Sequence, residues 1–277
     1  MELVLDNISC KKIKNQTFCF FDAKITSVIG GMGSGKTIIA EILSTLRKPE
    51  SGSFIINNQV IDLNGDNINY NNLRFDIGLV MQNLDLQLFQ DTVYDRIFFE
   101  LEQYNYKNNK KHIVDALKLV GLKETFLSRK LSTLSNGEKF LVSLAATLAH
   151  NPKVLILDDP TCFLDDKSQE NLVHLLKRMK NKFHKTIIIL SNDVDFIHSI
   201  SDYVYVLDNG KIVNHGNKYD VFTSDKLDKL NIETPDIIKF EKLVRQKLNI
   251  DITYRDDVND LIKDIYFYVE QKNRGSI

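Results

Sequence analysis

The segment Gly-Gly-Met-Gly-Ser-Gly-Lys-Thr, residues 30–37, decides the fold of this chain, because it matches the phosphate-binding pattern G-x-x-x-x-G-K-[ST]. An apolar, β-branched run, Ile25–Ile29, leads into the segment, and Ile38–Leu46 follows it with helical spacing of apolar residues. Glycines suit such a loop because backbone N–H groups must approach a polyphosphate at angles and distances that a Cβ would block. We therefore expect a nucleotide-binding α/β core.

Each part of this phosphate loop has an expected role. Lys36 is expected to reach the β- and γ-phosphates, and the hydroxyl of Thr37 to bind Mg²⁺. The helix that follows directs its positive N-terminal end at the same anion. The remaining residues should wrap the phosphates with their backbone: Gly30, Gly31, Met32, Gly33, Ser34 and Gly35.

Composition narrows the class of protein. The 277 residues suffice for one large α/β domain with a small appendage. Lys and Arg (36) nearly balance Asp and Glu (37), so no basic surplus indicates a nucleic-acid partner. Three cysteines without C-x-x-C spacing favour a reducing compartment, and no apolar stretch approaches the length of a membrane span. Any membrane role is therefore expected to come through a partner.

Further strands are expected around the phosphate loop. The turn residues Lys14–Gln16 predict a turn between the first two strands, and the Asn- and Asp-rich stretch 57–72 is expected to be a loop. Asn209-Gly210 predicts a hairpin between Tyr203–Leu207 and Lys211–Val213. The other expected strands are Glu2–Ile8, Thr17–Phe21, Ser53–Asn57 and Lys185–Leu190.

Residues 84–150 read as mostly helical and predict a helical subdomain inserted into the α/β core. From about residue 224 the pattern is helical again, and Thr234-Pro235 is suited to start a helix. This C-terminal part is either an extension packed on the core or a dimerisation appendage. The helices expected within the insert are Thr92–Gln103, Lys110–Val120, Thr125–Leu131 and Glu138–Leu148.

Two polar residues follow apolar strands. Val154–Asp158 is typical of a buried parallel strand, and an Asp at its carboxyl end lies where open α/β sheets bind ligands. Asp158 is therefore the expected Mg²⁺ partner of the phosphate loop. Gln82 follows the apolar run Phe75–Met81; its amide is suited to bind Mg²⁺ or the attacking water, whereas the spacing alone favours a solvated glutamine in a turn.

Taken in order, the phosphate loop, Gln82, the helical insert, the segment LSNGE (Leu134–Glu138) and the strand LILDD resemble the ATP-binding cassette (ABC) ATPases over roughly residues 2–222. The stretch Gly78–Ile97 is similar to Q-x-P-x-x-Q-L-F-x-x-T-V of energy-coupling factor (ECF) transporter ATPases, although the usual proline is Leu84 here. The residues that match are Gln82, Gln87, Leu88, Phe89, Thr92 and Val93.

The resemblance implies a P-loop NTPase (RecA-like) core with an antiparallel β-subdomain, an inserted helical subdomain and a C-terminal helical extension. It implies an ABC ATPase domain over residues 1–223, divided into a core (1–83 and 151–223) and a helical subdomain (84–150), followed by the extension (224–277).

The resemblance also implies ligands and partners. ATP and Mg²⁺ would bind between the phosphate loop of one subunit and the signature segment of a second ATPase subunit. The signature residues here are Ser135, Asn136, Gly137 and Glu138, and Asp165 matches the loop that couples the two sites. Two further partners are implied, a transmembrane scaffold subunit and a substrate-binding membrane subunit. The pair of ATPases would then lie peripherally on the cytoplasmic face of the membrane and drive uptake of vitamins or transition-metal ions.

Three positions depart from the family pattern. Asp159 stands where the family has the glutamate that polarises the attacking water, and Asn192 stands where it has the switch histidine. Lys12 replaces the aromatic residue that stacks on adenine in the family. A displacement of about 1 Å costs on the order of 100-fold in rate, and Asn cannot carry a positive charge.

We therefore expect ATP binding with slow hydrolysis at this chain's own site, in a heterodimer that lends its signature to a competent partner. The competing interpretations are that Asp159 and Asn192 work well enough, that the chain is a nucleotide-sensing regulatory subunit, or that it is a soluble non-transport ATPase.

Overall fold

The computed structural model describes residues 1–61, 70–104, 106, 109–224, 227, 230, 232–248 and 258–274. Within them the strands are β1 Leu3–Cys10, β2 Ile13–Phe20, β3 Ile25–Ile29, β4 Ser51–Ile56, β5 Gln59–Ile61, β6 Ile77–Val80, β7 Val154–Asp158, β8 Thr186–Ser191, β9 Tyr203–Asp208 and β10 Lys211–Asn217. The helices are α1 Lys36–Leu43, α2 Tyr70–Asp76, α3 Val93–Gln103, α4 Asn109–Leu119, α5 Asn136–Ala149, α6 Asp166–Phe183, α7 Val194–Ile200, α8 Lys218–Phe222, α9 Asp236–Leu248 and α10 Val258–Arg274. The predicted α/β class is confirmed.

A six-stranded sheet with the order β10-β9-β3-β8-β7-β6 forms the centre of the molecule. Strands β3 and β6–β9 run parallel to their neighbours, and β10 is an antiparallel edge strand after the predicted Asn209-Gly210 turn. Both turn residues have positive φ, 45° and 78°, as the tight hairpin requires. The carboxyl ends of β3, β6, β7 and β8 meet at one edge, so the residues that follow these strands come close together.

A four-stranded antiparallel sheet, β2-β1-β4-β5, lies against this core. Helix α1 packs between the two sheets, with Ile39 and Leu43 against Phe18 and Phe54 in one apolar cluster. The other face of the six-stranded sheet is covered by α5, α6 and α7. Burial of β3, β7 and β8 on both faces explains why they read as continuous apolar runs.

The predicted turn at Lys14–Gln16 is wrong, because these residues lie within β2 and the chain turns at Lys11-Lys12. Asn15 is left-handed, with φ 51°, yet its N–H donates to the hydroxyl of Ser9 at 3.1 Å and that hydroxyl bonds to its side chain at 2.9 Å. Asn15 therefore stays within β2, at a shift in the pairing register of β1 and β2.

The expected loop at 57–72 is also wrong at its ends, since Gln59–Ile61 forms β5 and α2 starts at Tyr70. Residues 62–69 lie outside the described residues. The chain turns from β4 to β5 at Asn57 and Asn58, both with positive φ, and β5 pairs with β4 along its length. The expected loop therefore begins with a tight turn, but strand β5 directly after this turn was not predicted.

Helices α3, α4 and α5 lie between β6 and β7 in the chain, but the expected helix Thr125–Leu131 is wrong. Two short 3₁₀ turns, Glu124–Phe126 and Leu131–Thr133, stand in its place. The carbonyls of Leu127 and Arg129 accept hydrogen bonds of 3.1 Å from the N–H groups of Tyr94 and Val93 at the start of α3. Because these carbonyls bond to α3, they are not free to continue a helix.

The C-terminal helices α9 and α10 pack on each other through Val244 and Leu261. Helix α9 also joins the core, since Ile238 belongs to the main apolar cluster and the N–H of Asp236 donates to Asp195 Oδ1 at 2.8 Å. Packing on the core is therefore observed, and a dimerisation role stays a prediction. Within the described ranges no helix combines the length and apolar character needed to cross a membrane.

Candidate nucleotide-binding site

The phosphate loop joins β3 to α1 with little room for side chains at its start. A Cβ on Gly30 would lie 2.1 Å from the carbonyl oxygen of Leu207 and 2.8 Å from Ser34 Oγ. Gly33 and Gly35 have φ of 72° and 117°, which L-residues with a Cβ rarely adopt. Met32 is 97% exposed. The glycines therefore serve both the close approach of β9 and the curvature of the loop.

Lys36 begins α1 and is 7% exposed. Its Nζ donates hydrogen bonds to the carbonyls of Gly30 at 2.7 Å and Gly31 at 3.3 Å, and to Asn192 Oδ1 at 2.5 Å. Burial lowers the pKa of Lys36, and the carboxylates of Asp159 and Asp158 oppose this shift. The ammonium thus lies at the junction of the phosphate loop with the segment after β8.

Asp158 ends β7 and is 5% exposed. Burial raises its pKa to about 6, while a hydrogen bond from the Thr37 hydroxyl opposes the shift. Its Oδ1 is buried and has no hydrogen-bond partner among the described residues. A hydroxyl beside an unpartnered carboxylate oxygen is a donor set of the kind that Mg²⁺ prefers, so the residues present fit this ion.

Asp159 follows in the left-handed conformation, with φ 48°. Its N–H donates to the carbonyl of Leu190 at 2.8 Å, and its carboxylate accepts from Gln82 Nε2 at 3.1 Å. The carboxylate also accepts from the Ser191 hydroxyl and from the backbone N–H of Asn192. Burial raises the pKa of Asp159, and Lys36 opposes the shift. Gln82 is therefore in contact with Asp159.

Ser191 was missed by the sequence analysis. It ends β8 as Asp158 ends β7, and the same reasoning, that polar residues after a buried parallel strand reach the ligand edge, identifies it. It is 1% exposed, and its hydroxyl also accepts from the N–H of Asp193 at 3.1 Å. Ser191 thus links Asp159 to the start of α7.

Lys12, at the β1–β2 turn, donates from Nζ to the carbonyl of Gly33 in the phosphate loop. Its own carbonyl lies against the hairpin turn after β9, since a Cβ on Gly210 would be 2.1 Å from it. The four-stranded sheet therefore places a cation on the rim of the phosphate loop.

The signature segment forms a separate group. Ser135 caps α5 in a capping box: the N–H of Glu138 donates to Ser135 Oγ at 3.2 Å, and the N–H of Ser135 donates to Glu138 Oε2 at 2.8 Å. The helix thus starts at Asn136 rather than at Glu138 as expected. In the described residues, none of the recorded hydrogen bonds of this segment reaches the phosphate loop.

Arg129 is a second residue that the sequence analysis missed. It donates from Nη1 to Glu138 Oε1 at 2.6 Å and from Nη2 to Oε2 at 3.2 Å, and it lies over the ring of Phe126. These bonds lower the pKa of Glu138. An arginine in an irregular loop nine residues before its partner has no sequence signal that distinguishes it.

The signature segment adjoins the Asp165 loop. A Cβ on Gly137 would be 3.0 Å from the carbonyl oxygen of Phe163, so the glycine allows close packing there. Asp165 caps α6 by accepting from the N–H of Ser168 at 2.8 Å. Hydrogen bonds from the side chain and from the backbone N–H of Ser168 lower the pKa of Asp165. The first turn of α5 is therefore packed against the loop that leads into α6.

Fold and site together define an ATPase of the cassette class, with a phosphate loop, a carboxylate strand and a capped signature helix. The model of the ABC transporter family matches residues 13–162. The chain belongs to the ABC transporter family and, within it, to the ECF transporter ATP-binding proteins.

Relatives and a solved structure support this assignment. The chain is 32% identical to the ECF transporter ATP-binding protein EcfA2 of Mycoplasma capricolum, over 89% of this chain and 90% of that protein. It is 35% identical to EcfA1 of Ureaplasma parvum, over 91% and 85%. The structure of cbiO1 from Clostridium perfringens, part of the ABC transporter complex cbiONQ, superimposes with a TM-score of 0.71 at 29% identity and covers 87% of this chain and 98% of its own.

Proposed function

We propose that this chain is one of the two ATP-binding subunits of an ECF-type importer and couples ATP to uptake of a vitamin or a transition-metal ion. The observation that carries the proposal is the division of the candidate residues into two groups. Hydrogen bonds link Lys36, Gln82, Asp159 and Asn192 at one sheet edge, and Asp158 bonds to Thr37 beside them, whereas the capped signature at Ser135 is bonded elsewhere. Such a division suits a nucleotide held between two subunits.

Within this chain's own site, Lys36 would hold the β- and γ-phosphates, together with the loop backbone. Thr37 and Asp158, with Gln82 at the next strand end, would hold Mg²⁺, which neutralises charge on the phosphates when bound. Asp159 would orient water and Asn192 would donate from its amide nitrogen to the γ-phosphate, because its oxygen already accepts from Lys36. Lys12 would contact the nucleotide from the rim.

We further propose that hydrolysis at this site is slow and that the working assembly is a heterodimer. Asp159 is one methylene shorter than the glutamate of the family, and its carboxylate is tied to Gln82 and Ser191. Asn192 cannot take up the proton that a histidine carries. Ser135, Asn136, Gly137 and Glu138 would complete the nucleotide site of the partner ATPase, and Asp165 would couple the two sites.

Two membrane partners complete the proposal. A transmembrane scaffold subunit would bind the ATPase pair at the cytoplasmic face of the membrane, and a substrate-binding membrane subunit would select the cargo. This arrangement is supported by the names of the relatives, which are ATP-binding proteins of ECF transporters. A second candidate, a nucleotide-sensing subunit with little turnover, is favoured by the same Asp159 and Asn192.

Mg-ATP hydrolysis tests the proposal, measured for the chain alone and for the chain co-expressed with the neighbouring ATPase and scaffold genes. We expect little activity alone, activity in the complex, and a gain of about tenfold or more for the chain alone with Asp159→Glu/Asn192→His. Equal activity alone and in the complex, unchanged by the double substitution, would show that the slow-site argument is wrong. No activity in any assembly that nevertheless binds ATP would favour the sensor.

A further inference from the structure

A cavity of about 460 Å³ lies between the C-terminal end of α4 and the facing sides of α5 and α6. Its described lining contains none of the candidate nucleotide-site residues. Leu144 and Leu172, 0% and 2% exposed, form its apolar floor together with Leu141 and Leu175. The volume is that of a small-molecule site, and the floor suits an apolar ligand body.

The rim of this cavity is positively charged. Lys118 comes from the last turn of α4, and His174 and Arg178 lie one turn apart on α6. The described lining contains no Asp or Glu, although acidic residues equal basic ones in number across the chain to within one. In the described residues neither Lys118 nor Arg178 has a recorded ion pair. Two permanent cations are thus gathered at the edge of an apolar depression.

We propose that this cavity binds a small amphipathic organic anion. Its carboxylate or phosphate head would pair with Lys118 and Arg178, with His174 as a further donor, and its apolar body would lie against Leu144 and Leu172. Burial of the apolar part supplies affinity, and the paired head fixes orientation. The volume of about 460 Å³ suits a short single-chain molecule rather than a two-chain lipid.

A ligand in this cavity would affect the arrangement of the signature segment, and the importance of this effect rests on the proposed function. Its walls are α5, which starts in the Ser135 capping box, and α6, which is capped by Asp165. The start of α5 is close to the loop before α6, where Gly137 meets the carbonyl of Phe163. A ligand wedged between α5 and α6 would hold the two segments in one arrangement.

The chain contains no tryptophan, so Leu119→Trp places a single fluorophore at the cavity, where Leu119 is 38% exposed. Octyl phosphate and octanoate are the charged probes, and octanol and inorganic phosphate are their separated halves. We expect the tryptophan fluorescence to change saturably with a charged probe. Half-saturation should occur at a concentration at least about tenfold lower than with octanol or inorganic phosphate alone. Isothermal titration of the Lys36→Ala chain, whose phosphate loop is impaired, should give the same ranking of probes without tryptophan.

Charge reversal and a matched control identify the site. Lys118→Glu/Arg178→Glu should raise the Kd for the charged probe by at least about tenfold, and Lys182→Glu, on α6 outside the lining, should change it by less than about twofold. The phosphate-loop variant Lys36→Ala should leave this Kd unchanged, which separates the cavity from the nucleotide site. The proposal is wrong if neither charged probe binds, if octanol binds as tightly, if charge reversal has no effect, or if Lys36→Ala abolishes binding.

Discussion

Lys36 Nζ donates a hydrogen bond of 2.5 Å to Asn192 Oδ1, so the ammonium of the phosphate loop is joined directly to the segment after β8. Asn192 is a neutral acceptor, so its amide oxygen adds no negative charge to the carboxylates of Asp159 and Asp158 that already act on Lys36. A phosphate therefore meets a cation whose charge Asn192 does not neutralise. Because the amide oxygen of Asn192 faces Lys36, its amide nitrogen points away from Lys36 and can donate to a bound phosphate.

Asn192→Asp should weaken binding of Mg-ATP by at least about tenfold, because a carboxylate at this distance forms an ion pair with Lys36 and repels the γ-phosphate. Asn192→Ala removes the hydrogen bond from Lys36 and the proposed donor to the γ-phosphate without adding charge, so its Kd should rise by clearly less than that of the Asp variant. Titration with a fluorescent ATP analogue measures the Kd of the unsubstituted chain and of both variants. Equal affinities for the Asp and Ala variants would contradict the electrostatic explanation.

Gly30→Ala should lower the free energy of unfolding by about 2 kcal/mol or more, because its Cβ would overlap the Leu207 carbonyl, a backbone atom that no rotamer change can move. Gly31→Ala is the matched control. A Cβ there meets nothing within 4 Å, and the change should stay within about 0.5 kcal/mol. Urea unfolding without nucleotide measures both, and similar losses would show that close packing is not the reason for Gly30.

Ser135→Ala should cost about 1 kcal/mol of stability, because the N–H of Glu138 loses its acceptor at the start of α5. Ser135→Thr keeps a hydroxyl at the same position and should stay within about 0.5 kcal/mol. Thermal unfolding of the nucleotide-free chain compares the two. If Thr destabilises as much as Ala, the capping bond contributes little.

His150 predicts acid sensitivity. The side chain is 1% exposed, and burial lowers its pKa from 6.5 to about 4, opposed by Glu100 at 3.7 Å. Between these values the unfolded chain takes up a proton that the folded chain does not. The contribution of His150 to the free energy of unfolding is therefore fully present above pH 6.5. It declines as the pH falls towards 4, by up to roughly 3 kcal/mol.

His150→Gln removes this titration and keeps a polar side chain. The difference in unfolding free energy between the unsubstituted chain and His150→Gln, measured in urea from pH 7.5 to 4.5, should shift steadily in favour of the variant as the pH falls. Parallel pH profiles would exclude His150 as the source. Because the comparison is a difference, groups that titrate in both proteins cancel.

Much of the site could be predicted where the physical cause is local. The glycines of the phosphate loop, Asn209-Gly210 and the apolar strand before Asp158 each select a conformation through neighbours a few residues away. Asp158 and Gln82 could be placed at a ligand edge because parallel strands end there. The same reasoning, applied to Lys185–Leu190, would have identified Ser191. The roles proposed for these residues stay predictions.

Other features depend on partners distant in sequence. Asn15 lies inside a strand because Ser9 holds it, and 125–131 does not form one helix because α3 uses its carbonyls. Arg129 reaches Glu138 because the loop before α5 folds back on the start of this helix.

The amino-acid sequence by itself determined the nucleotide-binding α/β core, because a strand, a glycine-rich loop and a helix follow from short-range sterics and periodicity. The order of its motifs carried the resemblance to the ABC ATPases. The tertiary structure decided which side chains meet. The strand order β3-β8-β7 places Lys36, Asn192 and Asp159 side by side although they are far apart along the chain. Packing of α4, α5 and α6 gathers Lys118 and Arg178 over a leucine floor. Such contacts depend on how remote elements pack, which no local pattern encodes.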